Sequence, residues 1–127
     1  MRRSLRSRVD FVRIQKGAIR ASSKHFLFLL GASSLGGEAD SRLGVVASKK
    51  VGNAVARNRV KRVVRETFRK VSGFVPNGVD LVVIARVSAD ELTQLEVAAE
   101  FEAVRGLVKK QAAKVAPLAR EDHGARR

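Results

Sequence analysis

The sequence predicts one domain that mixes helices and strands in the order helix, three strands, helix, strand, helix. Three features predict it: short apolar runs typical of strands, long stretches with the apolar periodicity of helices, and glycine or proline turns at their borders. With 127 residues, 45% of them hydrophobic, the chain can build one modest core. We expect a single domain over 1–127, folded from about 5 to 110, with a flexible basic N-terminal arm and a flexible tail over 111–127.

The first half of the chain contains a short helix and the first three strands. Ser7 and Asp10 have the spacing of a capping box, so the helix is expected to start there and to end near Lys16, before Gly17. Apolar runs separated by turn-forming residues indicate the strands that follow. These strands are expected at 18–23, 26–30 and 43–48.

The second half contains two long helices with a strand between them. Asn53 is a suitable N-cap, and the helix that follows it is expected to end before Gly73. After a turn at 76–78, residues 81–85 are apolar on both faces, as in a central strand that is covered on each side.

Two capping boxes compete for the start of the last helix. The candidate pairs are Ser88 with Glu91 and Thr93 with Glu96. We favour the second pair because the helix then has one continuous apolar stripe. The stripe consists of Val97, Phe101, Val104 and Val108.

The positive charge is high and is confined to particular segments. The chain has 26 Lys plus Arg against 12 Asp plus Glu, a net charge of +14. Residues 1–24 hold eight basic side chains and one acidic side chain, and residues 42–70 hold ten basic and one acidic. Residues 79–108, in contrast, hold two basic and six acidic side chains. Solubility alone does not require such sidedness, so the pattern indicates a polyanionic partner on one face. Arginine outnumbers lysine, which suits bidentate contacts with phosphate.

The long helix after Asn53 would carry much of this charge on one side. At ~100° per residue its apolar residues fall on one arc and its cations form two neighbouring rows. The rows consist of Arg57, Lys61 and Arg65, and of Asn58, Arg62 and Arg69. Like charges at this spacing weaken an isolated helix, and a phosphate backbone would compensate for that. The alternative, a solvated amphipathic helix, would normally mix glutamate with lysine, but here only Glu66 is acidic.

The start of this helix offers a second candidate contact. Gly52 and the free amides after Asn53 could accept a phosphate beside Lys49 and Lys50, although a plain strand-to-helix turn explains these residues equally well. An arginine-rich helix flanked by strands suits backbone and shape recognition of folded RNA better than base reading by a helix-turn-helix protein. A DNA-binding regulator and a ribosomal or other structural RNA-binding protein stay open as alternatives.

Residues 48–62 read SKKVGNAVARNRVKR. This segment closely resembles the signature of the bacterial ribonuclease P protein family. The resemblance extends to Asp10-Phe11, to Arg42-Leu43-Gly44 and to 80–86, and covers about 5–108. It implies an α/β (α+β) two-layer sandwich and a left-handed β-α-β crossover through the basic helix, against the usual right-handed rule.

In this family the RNA subunit hydrolyses one phosphodiester and so removes the 5′ leader of precursor tRNA. The resemblance therefore implies a non-catalytic subunit of a tRNA-processing endoribonuclease. Its partners would be the catalytic RNA and precursor tRNA, with no membrane and no small-molecule substrate. Contacts with the catalytic RNA are expected along and beside the basic helix, at Lys50, Asn53, Arg57, Asn58, Arg59, Lys61, Arg62, Arg65 and Arg69.

The resemblance also implies a cleft between the first helix and the sheet, which contacts the single-stranded leader. The residues expected there are Phe11, Gln15, Leu29, Ser48, Lys49 and Arg86. Phe11 matches the family's first leader-facing aromatic residue and could stack on a base. Gln15 and Leu29 stand where relatives can have aromatic residues, which predicts looser or more polar contact. Phe26 and Phe28 are expected in the core instead.

The residues do not indicate catalysis by the protein itself. The acids of the last helix have the spacing of a solvated face, namely Glu91, Glu96, Glu100 and Glu102. His123 lies in the tail, and His25 is expected at a strand edge or an RNA contact. We expect no catalytic residue, metal site or cofactor in the protein, and Mg²⁺ in the RNA-containing holoenzyme. Without cysteine, a signal peptide or an apolar run near the ~20 residues of a membrane helix, a cytoplasmic protein is expected.

Overall fold

The computed structural model describes residues 3–17, 19–71 and 73–115. Within these ranges the predicted order of helix, three strands, helix, strand, helix is confirmed, and a two-residue strand precedes it. In chain order the elements are β1 Arg3–Ser4, α1 Arg8–Lys16, β2 Arg20–Ser22, β3 Phe26–Ala32, β4 Arg42–Ala47, α2 Ala54–Lys70, β5 Val79–Ala85 and α3 Gln94–Ala112. A 3₁₀ turn, Ala89–Glu91, leads from β5 into α3.

The strands form a mixed sheet in the order β1-β4-β5-β3-β2. Strands β4 and β5 are parallel neighbours joined through α2, which is the connectivity that the expected crossover requires. Strand β3 pairs antiparallel with both β5 and β2. The continuous apolar run of β5 is explained by its position, because this strand lies at the centre of the sheet and is covered on both faces.

Part of the predicted N-terminal arm is paired with the sheet. Strand β1 pairs in parallel with the start of β4, and the Leu5 backbone N–H donates to the Leu43 carbonyl at 2.9 Å. The Leu5 side chain is 4% exposed and packs in a cluster with Ile14 and Leu29. A two-residue strand has no periodicity, so this pairing leaves no recognisable pattern in the sequence.

Helices α2 and α3 pack on one face of the sheet and enclose the main core. The predicted stripe of α3 is buried there, and Phe101 contacts Phe28 edge-on with ring centroids 5.2 Å apart. Phe26 and Phe28 are 0% exposed, which confirms that they belong to the core. Helix α2 contributes Val60, Val63, Val64 and Phe68.

Helix α1 lies on the opposite face. Its Ile14 is buried against Leu29 and Val82, so the helix covers the middle of β3 and β5. The predicted two-layer sandwich is therefore formed by the sheet with α2 and α3, while α1 adds a short third layer over part of the other face.

Helix starts follow the predicted caps with one exception. Asn53 caps α2 by accepting a hydrogen bond from a backbone N–H at 2.9 Å, and Thr93 and Glu96 form the complete capping box of α3. Ser7 accepts from the Asp10 backbone N–H at 3.3 Å, as predicted. The Asp10 carboxylate does not complete that box, because it takes part in a network of ion pairs instead.

The C-terminal end of the described fold lies close to residue 110. Helix α3 continues to Ala112, and Val115 packs against the main core. The predicted flexible tail beyond residue 115 lies outside the described residues. Among the helices of the described ranges, none combines the length and the apolar character that a membrane crossing requires.

Candidate nucleic-acid interface

Helix α2 presents a cationic face to solvent. Its apolar residues point to the sheet, so the polar residues of the predicted rows lie on the outer side. Asn58, Arg62, Arg65 and Arg69 are exposed, and Arg57 and Lys61 are half-buried at the margin. Arg69 forms an ion pair with Glu66 at 3.0 Å, which partly neutralises its charge on this face. The others form a surface whose positive charge could follow a phosphate backbone.

Arg59 points away from this face. Its guanidinium donates to the carbonyl of Asp90 at 3.1 Å and to the carbonyl of Leu92 at 3.0 Å, so it secures the turn before α3. On a helix, Arg59 and Lys61 project about 160° apart, which explains why one reaches α3 and the other does not. A structural role for Arg59 was not predicted from the sequence, because its carbonyl partners lie more than thirty residues further along the chain.

The start of α2 carries both favourable and unfavourable groups for an anion. Ser48, Lys49 and Lys50 are exposed in the turn before the helix. However, the Asp90 carboxylate lies 3.6 Å from where a Cβ on Gly52 would stand, so an anion at the helix start would meet a like charge. The two lysines are therefore better placed than the helix amides to bind phosphate.

On the other face of the sheet, a partly covered apolar surface lies beside α1, and we call this surface the groove. Its floor is a row of half-buried apolar side chains on three adjacent strands, Leu27, Ile84 and Val46. Phe11 of α1 borders this surface, and Gln15 is exposed one helical turn further along α1. The rim lies one or two residues beyond the ends of β4 and β5 and holds Ser48, Lys49 and Arg86, all of them exposed. Of the sequence-predicted cleft residues, Phe11 and the rim residues border this surface, while the function of the surface stays a prediction.

Leu29, which was also predicted for the cleft, is 2% exposed beneath α1 and offers no surface to a ligand. The floor residues were missed from the sequence, although strand alternation places Leu27 on the face opposite Phe26 and Phe28. Arg20 was also missed. It is exposed on the edge strand β2, directly opposite Leu29 in the pairing register and on the groove face of the sheet.

A buried network of ion pairs holds α1 against the sheet. Arg42 donates to both carboxylate oxygens of Asp80, with Nη2 to Oδ2 at 2.5 Å, and also lies 3.4 Å from Asp10. Arg13 donates to Asp10 at 2.9 Å. The three motifs that contain Asp10, Arg42 and Asp80 are far apart in sequence but meet at this point. The network fixes the position of Phe11, which follows Asp10 directly.

The charges of this network support one another. Burial opposes ionisation of Asp10, but hydrogen bonding from Arg13 and the charge of Arg42 outweigh burial and hold the pKa of Asp10 below its ordinary value. Hydrogen bonding to Asp80 raises the pKa of Arg42 further. Both shifts favour the charged forms, so the Asp10 carboxylate and the Arg42 guanidinium attract each other at neutral pH.

The four acids predicted for the last helix have different surroundings, and Glu91 lies in the 3₁₀ turn before α3 and not in the helix. Glu96 belongs to the capping box, and Glu102 pairs with Arg105 at 3.2 Å. The prediction of a uniformly solvated face is wrong for Glu100, which is half-buried and bonded to His25 and Ser23. Within the described part of the chain, no group of three or more His, Asp or Glu residues could hold a metal ion.

A cationic helix face and a basic-rimmed apolar groove, on opposite sides of one small α/β domain, define a nucleic-acid-binding protein. The family model described as Ribonuclease P matches residues 1–110. The Ribonuclease P protein component of Thermotoga petrophila is 39% identical over 110 residues, which are 86% of this chain and 92% of that protein. The chain belongs to the bacterial ribonuclease P protein family, and so is the RNA-binding protein component of a tRNA-processing ribonuclease.

Solved structures agree with this assignment. The RNase P protein of Staphylococcus aureus has a TM-score of 0.71 at 32% identity, covering 85% of this chain and 94% of that chain. The RNase P protein of Thermotoga maritima has a TM-score of 0.67 at 34% identity, covering 80% of this chain and 93% of that chain. The fold, including the order of its elements, is therefore that of the family.

Proposed function

We propose that the protein bridges two RNAs: α2 holds the catalytic RNA of ribonuclease P, and the groove binds the 5′ leader of precursor tRNA. The observation that carries this proposal is the placement of two basic surfaces on opposite faces of one sheet. Two surfaces on opposite faces allow the protein to contact two RNA strands at the same time. The contacts with the catalytic RNA are assigned to the outward residues of α2 and to Lys50, and Arg59 contributes mainly by shaping the domain.

The groove suits a single strand. Its apolar floor and the Phe11 ring can contact bases, while Lys49 and Arg86 on the rim can contact phosphates. Mature tRNA has no leader, so binding energy gained in the groove favours the substrate over the product. Arg20 at the far edge would extend the cationic track along the leader.

In this proposal the RNA does the chemistry, which is cleavage of one phosphodiester with Mg²⁺ held by RNA. The proposal assigns no metal ion to the protein, and among the described residues no group of three or more His, Asp or Glu could hold one. The protein instead reduces the repulsion between two polyanions and so lowers the Mg²⁺ concentration that assembly requires.

Reconstitution tests the proposal. Adding the protein to the catalytic RNA at low Mg²⁺ should restore leader cleavage, whereas the protein without RNA should cut nothing. Cleavage by the protein alone, or an unchanged cleavage rate at low Mg²⁺, would contradict the proposal. Recovery of whole ribosomal subunits with the protein from cells, rather than one large RNA with tRNA-maturing activity, would favour the alternative of a ribosomal protein.

A further inference from the structure

Glu100 connects helix α3 to the turn between β2 and β3. Its Oε1 accepts a hydrogen bond from the Ser23 hydroxyl at 2.5 Å and another from the His25 backbone N–H at 3.0 Å. Its Oε2 contacts Nδ1 of His25. These three contacts from one half-buried carboxylate hold both sides of the turn. Among the described residues, no other acid of α3 contacts this turn.

The same turn holds Arg86 from the other side. The Ser23 carbonyl accepts a hydrogen bond from Nη1 of Arg86 at 3.3 Å, and the His25 carbonyl accepts one from the Arg86 backbone N–H at 2.9 Å. Ser23 and His25 therefore each contact Glu100 and Arg86 at once. A continuous chain of hydrogen bonds leads from α3, on one side of the sheet, to the rim of the groove on the other.

We propose that Glu100 is a positioning residue for Arg86, and that it tunes leader binding without touching RNA. This inference rests on the proposed function, because Arg86 matters only if the groove binds the leader. An exposed arginine loses rotamer freedom when it binds a phosphate, and a guanidinium that is already held by the Ser23 carbonyl loses less. By fixing the turn, Glu100 keeps that carbonyl in place.

The ionisation of Glu100 fits this role. Burial opposes it, but hydrogen bonds from Ser23 and His25 outweigh burial and hold the pKa of Glu100 below its ordinary value. The carboxylate is therefore fully charged at the pH at which tRNA is processed. It accepts hydrogen bonds on both oxygens, which a neutral amide cannot do.

The experiment is a double-mutant cycle of Glu100→Gln and Arg86→Ala in the reconstituted holoenzyme, with affinity measured for precursor tRNA and for mature tRNA. Glu102→Gln is the matched control, since it removes the same charge from an exposed site on the same helix. Glu100→Gln should weaken precursor binding by about threefold to tenfold, as expected for one impaired phosphate contact, and leave mature tRNA unaffected. In the Arg86→Ala background it should cause no further loss.

Each other outcome overturns the inference. If Arg86→Ala weakens precursor binding but Glu100→Gln does not, or if the two losses add, Glu100 does not act through Arg86 and the proposed function stands. If Arg86→Ala itself leaves precursor binding unchanged, the role of the groove and this inference fail together. Should Glu100→Gln prevent folding, Ser23→Ala replaces it in the same cycle, because it removes one of the three contacts and leaves the carboxylate charged.

Discussion

Phe11 of α1 lies directly over Gly44 of β4. A Cβ at position 44 would come within 2.7 Å of Cε1 of the ring, which is closer than such atoms approach in proteins. The absence of a side chain on β4 therefore creates the space for the aromatic ring at the border of the groove. The two residues come from separate segments of the family resemblance, and in the fold these segments meet at this contact.

We expect Gly44→Ala to displace the Phe11 ring and to weaken binding of precursor tRNA. Inserting one methyl group into a packed contact should also lower the free energy of unfolding by about 1–3 kcal/mol. The control is Gly106→Ala on α3, where a Cβ meets no atom within 4 Å. That change should raise the free energy of unfolding by about 0.5–1 kcal/mol, through helix propensity, and leave RNA binding unaltered. Urea unfolding and precursor affinity check both variants.

Phe11→Ala tests the ring itself. It should weaken binding of precursor tRNA by the reconstituted holoenzyme, by about 1–3 kcal/mol if the ring stacks on a base. Binding of mature tRNA should stay unchanged, because that RNA has no leader. An equal loss for both RNAs would show that Phe11 supports the fold and not the leader contact.

Arg62→Ala and Arg59→Ala should have different effects, although both cations belong to the family signature. Arg62 is exposed, so its loss should lower the slope of log affinity for the catalytic RNA against log salt by roughly 0.7–0.9 and leave stability unaltered. Loss of Arg59 removes two hydrogen bonds to carbonyls and should lower the free energy of unfolding by about 1–3 kcal/mol. An unchanged slope for Arg62→Ala would exclude that residue from the interface.

The sequence predicts those features that depend on local pattern. Periodicity identifies the buried stripe of α3, residue type identifies the Asn53 cap, and alternation with apolar character assigns Phe26 and Phe28 to the core. It does not predict features that depend on distant partners. Arg59 and Glu100 both look like solvated helix residues until the turns that they contact are folded against them.

The groove shows the same division. Its charged rim and Phe11 follow from the motifs, but the burial of Leu29 does not. Strand alternation predicts which side of a sheet a residue faces, but it does not predict whether another element covers the residue there. Only the seating of α1, through Ile14 and the Asp10–Arg42 pair, determines which part of the face stays open. That seating depends on residues from three separate segments.

The ion-pair network should make stability depend on acid pH through Asp10. The pKa of Asp10 is lower in the folded chain than its ordinary value of 3.8, so its charged form stabilises the fold at every pH above that value. As the pH falls through the ordinary value and then through the lower folded value, protons bind first to the unfolded chain and this stabilisation is lost. Asp10→Asn removes the titrating group and leaves a side chain of similar size.

The wild-type chain should therefore exceed Asp10→Asn in free energy of unfolding at pH 7, and the difference should shrink steadily as the pH falls below about 4. Urea unfolding of both proteins between pH 7 and strongly acidic pH provides the measurement. Glu102→Gln serves as the comparison, because its exposed ion pair should contribute less than about 1 kcal/mol at any pH. A difference between wild type and Asp10→Asn that stays constant with pH would show that Asp10 acts through shape and hydrogen bonding alone, and that its charge does not hold α1 on the sheet.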